Sequence, residues 1–80
     1  MTVRVRFFAS YAERLGRSEI SLDLPADSTV DDVITSVNAL PGAAGLPPHP
    51  LIAVNLTYAR RGAALADGDE IAFIPPVAGG

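Results

Sequence analysis

The 80-residue chain contains no cysteine and no lysine, and its single histidine is His49. Without cysteine there can be no disulfide, no thiolate metal site and no cysteine nucleophile. One histidine leaves a protein-only zinc site short of its usual ligands, so we expect no bound metal.

All six basic residues are arginine and the net charge is −3. That weakly acidic balance argues against a nucleic-acid partner, because phosphates favour a basic surface.

Long apolar runs are also absent. No segment approaches the roughly 20 consecutive apolar residues that a membrane-spanning helix needs. Residues 1–6 alternate in polarity instead of running apolar after a charged head, which is unlike a signal peptide. The sequence therefore predicts a cytoplasmic protein that does not bind membranes. Its hydrophobic content of 49% is enough for one small core.

The first part of the chain predicts two strands. Residues 3–8 and 19–24 alternate apolar and polar side chains, the period of a half-buried strand. Between them, Ser10 is in position to cap a short helical turn over residues 11–15, and Gly16 is in position to end it. Because the connection is short, we predict that the two strands pair antiparallel.

One longer helix is predicted in the middle of the chain. Ser28 and Thr29 each precede an aspartate by three residues, the spacing of a capping box at a helix start. Five apolar residues then recur at helical spacing on one face: Val30, Val33, Ile34, Val37 and Leu40. Pro41 and Gly42 stop the helix, and the prolines and glycine of residues 45–50 predict a loop.

The last part of the chain predicts three more strands. Residues 51–54 form a short apolar run, and Tyr58 with Ala59 begins a brief edge strand. A turn at residues 67–69 precedes a last strand over residues 70–74. This order predicts an α+β fold, a ubiquitin-like β-grasp in which one main helix packs across a mixed sheet. We place the β-grasp domain at residues 1–74 and an extended C-terminal tail at residues 75–80.

The tail reads Pro75-Pro76-Val77-Ala78-Gly79-Gly80. Two prolines leave the sheet stiffly, and two glycines finish the segment without side chains, which suits entry into a narrow channel of another protein. Terminal Gly-Gly alone arises by chance in about one chain in 200, and a frayed end is the ordinary alternative. Its position directly after the 67–69 turn and the last strand makes the pattern more specific.

Three segments carry a family resemblance: residues 5–9 (VRFFA), residues 53–55 (AVN) and residues 65–80 (LADGDEIAFIPPVAGG). In these segments, and over nearly its whole length, the chain resembles the MoaD/ThiS family of ubiquitin-like sulfur carriers. The Pro75-Pro76 pair favours the molybdopterin branch of the family over the branch that serves thiamine thiazole synthesis.

The resemblance implies a chain that is non-catalytic alone and acts as the sulfur-donating subunit of a molybdopterin synthase. An E1-like activating enzyme would adenylate the Gly80 carboxylate, next to Gly79, and a sulfur donor would convert the adenylate to a thiocarboxylate. The tail, with Pro75, Pro76, Val77 and Ala78, would enter the large synthase subunit and pass sulfur to cyclic pyranopterin monophosphate. ATP would be used by the activating enzyme, so no cofactor is expected here. The family also suggests a heterotetramer.

Elementary chemistry agrees with the need for an activating partner. A free α-carboxylate is ionised at neutral pH and does not react with nucleophiles, so it carries sulfur only after activation. The chain itself lacks a Walker-type phosphate loop, because that motif requires a Gly-Lys pair and there is no lysine.

A docking surface follows from the alternation. Phe8 falls on the face opposite Val3, Val5 and Phe7, and Ile74 falls opposite the inward residues of the last strand. If these strands are neighbours, Phe8 and Ile74 share the sheet face away from the helix, beside the departing tail. A contiguous apolar pair marks a contact site, whereas one exposed apolar residue is ordinary. The resemblance adds Tyr58 and implies that all three residues meet the large subunit.

Two alternatives remain open. In the first, the chain serves thiazole synthesis through the same thiocarboxylate; in the second, it is a ubiquitin-like protein modifier that forms isopeptide bonds. The absence of lysine prevents lysine-linked polymers of the chain itself but is compatible with single attachment to another protein.

Overall fold

The computed structural model describes residues 1–76. The strands of these residues form one mixed sheet, in chain order β1 (Thr2–Phe7), β2 (Glu19–Asp23), β3 (Leu51–Val54), β4 (Thr57–Tyr58) and β5 (Glu70–Ile74). Their spatial order is β2-β1-β5-β3-β4. β1 and β5 run parallel, and the other neighbouring pairs run antiparallel. The predicted β-grasp topology, with first and last strands side by side inside the sheet, is confirmed.

Two α-helices accompany the sheet, α1 (Ser10–Leu15) and α2 (Val30–Asn38), together with a 3₁₀ turn at Ala43–Gly45. The four apolar residues of α2 at the predicted spacing are all buried: Val30, Val33, Ile34 and Val37. Leu40, the fifth predicted member, lies beyond the end of α2 but still packs partly buried against the core. The 3₁₀ turn lies between α2 and the stretch of residues 45–50 predicted as a loop, and it shares only Gly45 with that stretch.

The core lies between α2 and the inner face of the sheet. β1 buries Val3, Val5 and Phe7, and β5 buries Ile71 and Phe73. The Phe73 ring is in edge-to-face contact with the rings of Phe7 and Tyr11, at centroid distances of 5.7 and 5.8 Å. Such aromatic pairs add to the free energy gained by burying their area. The alternation in β1 and β5 thus decides which side chains stabilise the fold and which remain on the opposite face.

The predicted capping box is present at the start of α2. The Asp32 side chain accepts a hydrogen bond from the Thr29 backbone N–H at 2.8 Å. Thr29 is the capping residue and has extended backbone geometry, which is the usual conformation at that position. The acidic first turn also lies at the positive end of the helix dipole.

The prediction that Ser10 caps α1 is wrong. Ser10 is the first residue of the helix, and Ala9 occupies the capping position with φ 47° and ψ −123° and no side-chain capping bond. The Tyr11 N–H donates to the Phe8 carbonyl at 3.1 Å and closes a tight turn there. A side chain at such a backbone position costs on the order of 1 kcal/mol. Gly16 ends α1 in the left-handed region, as predicted.

The β3–β4 hairpin has a two-residue loop, Asn55-Leu56, in which both residues have positive φ. This is the geometry of the turns that suit the twist of paired strands. The Asn55 side chain donates to Asp69 Oδ1 at 2.9 Å and accepts from the Glu70 N–H at 3.0 Å. The predicted turn at Asn55 is confirmed, and these two hydrogen bonds connect it to the turn that precedes β5.

Tyr11 joins the loop after α2 to the core. Its hydroxyl donates to the Pro47 carbonyl at 2.7 Å, and the side chain is buried. Burial raises the pKa of Tyr11 above its ordinary value of 10.0, because the charged phenolate would lose its hydration. The folded state therefore holds the Tyr11 proton more tightly than the unfolded state does.

We predict that Tyr11→Phe lowers the free energy of unfolding by about 1 kcal/mol at neutral pH, since one buried hydrogen bond is lost. In the parent, the contribution of Tyr11 to the free energy of unfolding is fully present below pH 10 and falls as the pH rises from there toward the raised pKa of Tyr11. Tyr11→Phe should lack this fall. Urea unfolding at several pH values, with Tyr58→Phe in both proteins so that Tyr11 is the tyrosine under test, checks this. Identical pH dependence in the two proteins would contradict it.

Candidate functional site

The outer face of the sheet, opposite α2, carries an apolar patch at the end where β5 stops. We call it the tail-end patch and define it by four residues: Phe8, Leu51, Tyr58 and Ile74. Leu51 is the direct register partner of Ile74. Phe8 continues β1 beside Ile74 on the other side, because Phe7 pairs with Phe73 and the Phe8 N–H donates to the Phe73 carbonyl at 3.1 Å. Ile74 therefore lies in the middle of an apolar row across three strands.

Tyr58 belongs to the next row of the same face. It pairs with Ala53, and Ala53 pairs with Ala72, so small side chains separate the tyrosine from β5. The exposed fractions are 40% for Phe8, 36% for Leu51 and 69% for Tyr58, while Ile74 is half-buried. Exposed apolar area of this kind is what protein interfaces cover.

A charged region borders the patch on the β1–β2 side. The Arg6 guanidinium pairs with Glu70 at 3.2 Å, and Arg4 pairs with Glu19 at 3.6 Å. Both pairs are diagonal, since the residue directly opposite Arg4 is Glu70 and the residue opposite Arg6 is Glu19. The outer face is thus divided into an apolar half at the end of β5 and a polar half over β1 and β2.

The chain leaves the sheet directly beside this patch. Pro75 is half-buried and Pro76 is exposed immediately after Ile74. The remaining predicted tail residues, Val77, Ala78, Gly79 and Gly80, lie outside the described residues. The predicted domain boundary at residue 74 coincides with the end of β5, and the division into a domain and a tail stays a prediction.

The structure brings Phe8 and Ile74 together on one face, as the alternation predicted, and places Tyr58 one row away. The sequence reasoning missed Leu51 and Arg6. A short apolar run such as residues 51–54 is consistent with a buried strand, but only Ile52 and Ala53 are buried there, and Leu51 is exposed. Residues 51–54 are all apolar, so no alternation of polarity shows which of them face outward. The outward position of Leu51 follows instead from its pairing with Ile74.

Other titratable groups of residues 1–76 do not form a second site. Asp67 accepts the Thr2 N–H at 2.7 Å and Asp69 accepts the Ala66 N–H at 2.8 Å, so their carboxylates hold turns. No cluster of three or more potential metal ligands occurs within this part of the chain. Among these residues no helix has the length and apolar character to cross a membrane. His49 is exposed, as predicted for a loop residue.

A β-grasp whose central last strand ends at an exposed apolar patch defines a ubiquitin-like protein. The sequence model described as the ThiS family matches residues 5–80. The chain therefore belongs to the MoaD/ThiS family of ubiquitin-like sulfur carriers, which confirms the resemblance inferred from residues 5–9, 53–55 and 65–80.

Two of the curated relatives match over 98–100% of the chain. Small archaeal modifier protein 3 of Haloferax volcanii is 35% identical, with 100% of both chains covered. The molybdopterin synthase sulfur carrier subunit of Escherichia coli is 34% identical, with 98% of this chain and 99% of that protein covered. The names of these relatives therefore include both a modifier and a sulfur carrier.

Solved structures show the same fold. The crystal structure of small archaeal modifier protein 1 from Haloferax volcanii superposes with a TM-score of 0.82 at 29% identity, covering 100% of both chains. A complex of subunits 1 and 2 of molybdopterin-converting factor from Helicobacter pylori contains a chain that matches with a TM-score of 0.74 at 25% identity, again covering 100% of both chains.

We predict opposite consequences for the two neighbouring phenylalanines. Phe8→Ala should change the free energy of unfolding by less than about 1 kcal/mol, because the ring is exposed. Phe7→Ala should cost about 3–5 kcal/mol, because it opens a cavity in the core. Urea unfolding of both variants measures this, with Phe7→Leu as a milder control if Phe7→Ala fails to fold. Equal losses for Phe8→Ala and Phe7→Ala would place both rings in the core.

Proposed function

We propose that this chain is the sulfur carrier subunit of a molybdopterin synthase. Its Gly80 carboxylate is adenylated, converted to a thiocarboxylate and used to transfer sulfur to cyclic pyranopterin monophosphate in molybdenum cofactor biosynthesis. The observation that carries the proposal is the full-length similarity to molybdopterin synthase sulfur carrier subunits, together with an apolar patch at the point where the tail begins.

The chemistry divides between this chain and its partners. The Gly80 carboxylate attacks ATP on the activating enzyme and forms an acyl-adenylate with release of pyrophosphate. A sulfur donor then displaces AMP and leaves a thiocarboxylate, with one sulfur in place of one carboxylate oxygen. No side chain of residues 1–76 is required for either step, which fits the absence of cysteine and of a metal-ligand cluster among them.

The tail-end patch supports docking to the large subunit. The six residues after Ile74 span at most about 20 Å when extended, so the site that receives Gly80 must lie close to the patch. A large subunit that covers Phe8, Leu51 and Ile74 would hold the domain at that distance. The complex of two molybdopterin-converting factor subunits that contains a chain of this fold supports such a partner. In the proposed complex, Pro75 to Ala78 bridge the patch and the reacting end.

A second function is supported by the similarity to small archaeal modifier proteins. In that reading, the activated Gly80 carboxyl group is attacked by an amine of another protein and forms an isopeptide bond. The thiamine branch is a third reading, with the same thiocarboxylate and a thiazole synthase as client. All three share the activation step and differ in the acceptor.

Mass spectrometry of the protein isolated from its host distinguishes these readings. A sulfur carrier should contain a fraction whose mass exceeds the unmodified mass by the difference between a sulfur and an oxygen atom. A modifier should appear joined to lysines of other proteins. Binding to the large subunit of the host's molybdopterin synthase, but not to its thiazole synthase, would separate the two sulfur-transfer branches.

We predict that deletion of Gly80 abolishes sulfur transfer to cyclic pyranopterin monophosphate in the assembled synthase. The midpoint of urea unfolding should stay unchanged, because the core residues of the described part of the chain, residues 1–76, all lie at or before Phe73. Sulfur transfer is measured with the purified large subunit and activating enzyme. Gly62→Ala, where an added Cβ would meet no atom within 4 Å, serves as a control for a change away from the tail. Full transfer by the Gly80-deleted chain would refute the mechanism.

A further inference from the structure

Arg6 connects the charged half of the outer face with the tail-end patch. Its guanidinium carbon lies 5.4 Å from the centroid of the Phe8 ring, within the range of an attractive cation–π contact. The same guanidinium donates from Nη1 to Glu70 Oε1 at 3.2 Å. Arg6 is therefore held from one side by a carboxylate of β5 while it contacts the aromatic ring of the patch.

The Phe8 ring has few other restraints. Phe8 lies one residue beyond the end of β1 and is 40% exposed on the outer face of the sheet. A ring in that position keeps rotamer freedom unless a neighbour restricts it. Ala9, directly after it, is held in a tight turn, which fixes the backbone of this segment but not the ring.

Arg4 provides an internal comparison. It lies two residues before Arg6 on the same face of β1, and it also forms a diagonal ion pair, with Glu19 at 3.6 Å. No aromatic ring lies against Arg4 among the described residues. The two arginines therefore carry the same charge on the same strand, and only Arg6 contacts the patch.

We propose that Arg6 is a positioning residue, which holds the Phe8 ring in the orientation that the large subunit recognises while Glu70 holds Arg6. This inference rests on the proposed docking of the tail-end patch. The Glu70 carboxylate limits the motion of the Arg6 guanidinium, and the flat guanidinium in turn limits the rotation of the Phe8 ring. The partner then meets a ring that is already ordered, and the loss of side-chain entropy on binding is smaller.

The geometry also explains why arginine is needed at this position. A guanidinium is planar and has five N–H donors, so it pairs with a carboxylate and lies against a ring at the same time. A lysine ammonium at the same site keeps the charge but has no flat surface to place against Phe8. Arg6→Lys is consequently expected to behave like a loss of the contact, even though the net charge is unchanged.

The test compares Arg6→Gln with Arg4→Gln, which each remove one positive charge from the same face. We predict that Arg6→Gln weakens binding to the host's large synthase subunit about three- to tenfold, whereas Arg4→Gln changes the Kd less than about twofold. Arg6→Lys should resemble Arg6→Gln. In a Phe8→Ala background, Arg6→Gln should have no further effect, because the ring that it positions is gone. Equal losses for the two arginine variants would overturn the proposal.

A second measurement uses the free protein. NMR side-chain relaxation of the Phe8 ring should show greater ring motion in Arg6→Gln and in Glu70→Gln than in the parent, and no change in Arg4→Gln. Weaker binding by Arg6→Gln without a change in ring motion would mean that Arg6 contacts the partner directly, which overturns the proposal. If the parent fails to bind the large subunit, the proposed function fails instead. The ring motion then decides separately whether Arg6 restrains Phe8.

Discussion

The pairing of β5 with both β1 and β3 is the interaction on which the rest of the molecule depends. β5 is parallel to β1 on one side and antiparallel to β3 on the other, so it joins two hairpins that are otherwise separate. Its inward residues, Ile71 and Phe73, are among the most buried of the core. Without this strand, each hairpin would be a two-stranded ribbon, which is marginal in water.

The same strand locates the candidate site. Because side chains alternate along a strand, a strand that buries Ile71 and Phe73 must place Ala72 and Ile74 on the outer face. Ile74 then meets Phe8 from β1 and Leu51 from β3. The patch and the start of the tail are therefore fixed relative to the core, and the tail begins from a rigid point in the sheet.

Much of the fold could be predicted from periodicity and turn chemistry. The alternation of residues 3–8 gave both the inner face of β1 and the outward direction of Phe8, and the capping box gave the start of α2. The cap of α1 could not be predicted in this way, because Ala9 adopts a backbone conformation that its side chain disfavours. The tight turn from β1 into α1 imposes this conformation on Ala9, and the turn itself depends on how α1 packs against the rest of the fold.

The candidate site was only partly predictable for a related reason. Phe8 and Ile74 could be placed because each lies on a strand with clear alternation. Leu51 lies in a run of four apolar residues, in which no period distinguishes the two faces, and only its register with Ile74 places it in the patch. Arg6 and Phe8 are two residues apart, so the alternation along β1 and its continuation places both on the outer face. The diagonal pairing of Arg6 with Glu70 depends in addition on how β1 and β5 are aligned.

The central place of β5 also has a consequence for biosynthesis. Of the five strands, the one that completes the sheet is the last to leave the ribosome, and it must insert between two strands made much earlier. Its contacts with β1 join residues more than sixty positions apart, and closing so large a loop has to precede the gain from pairing. The nascent chain therefore cannot reach its final architecture until translation has passed residue 74, which ties folding to the synthesis of the segment next to the tail.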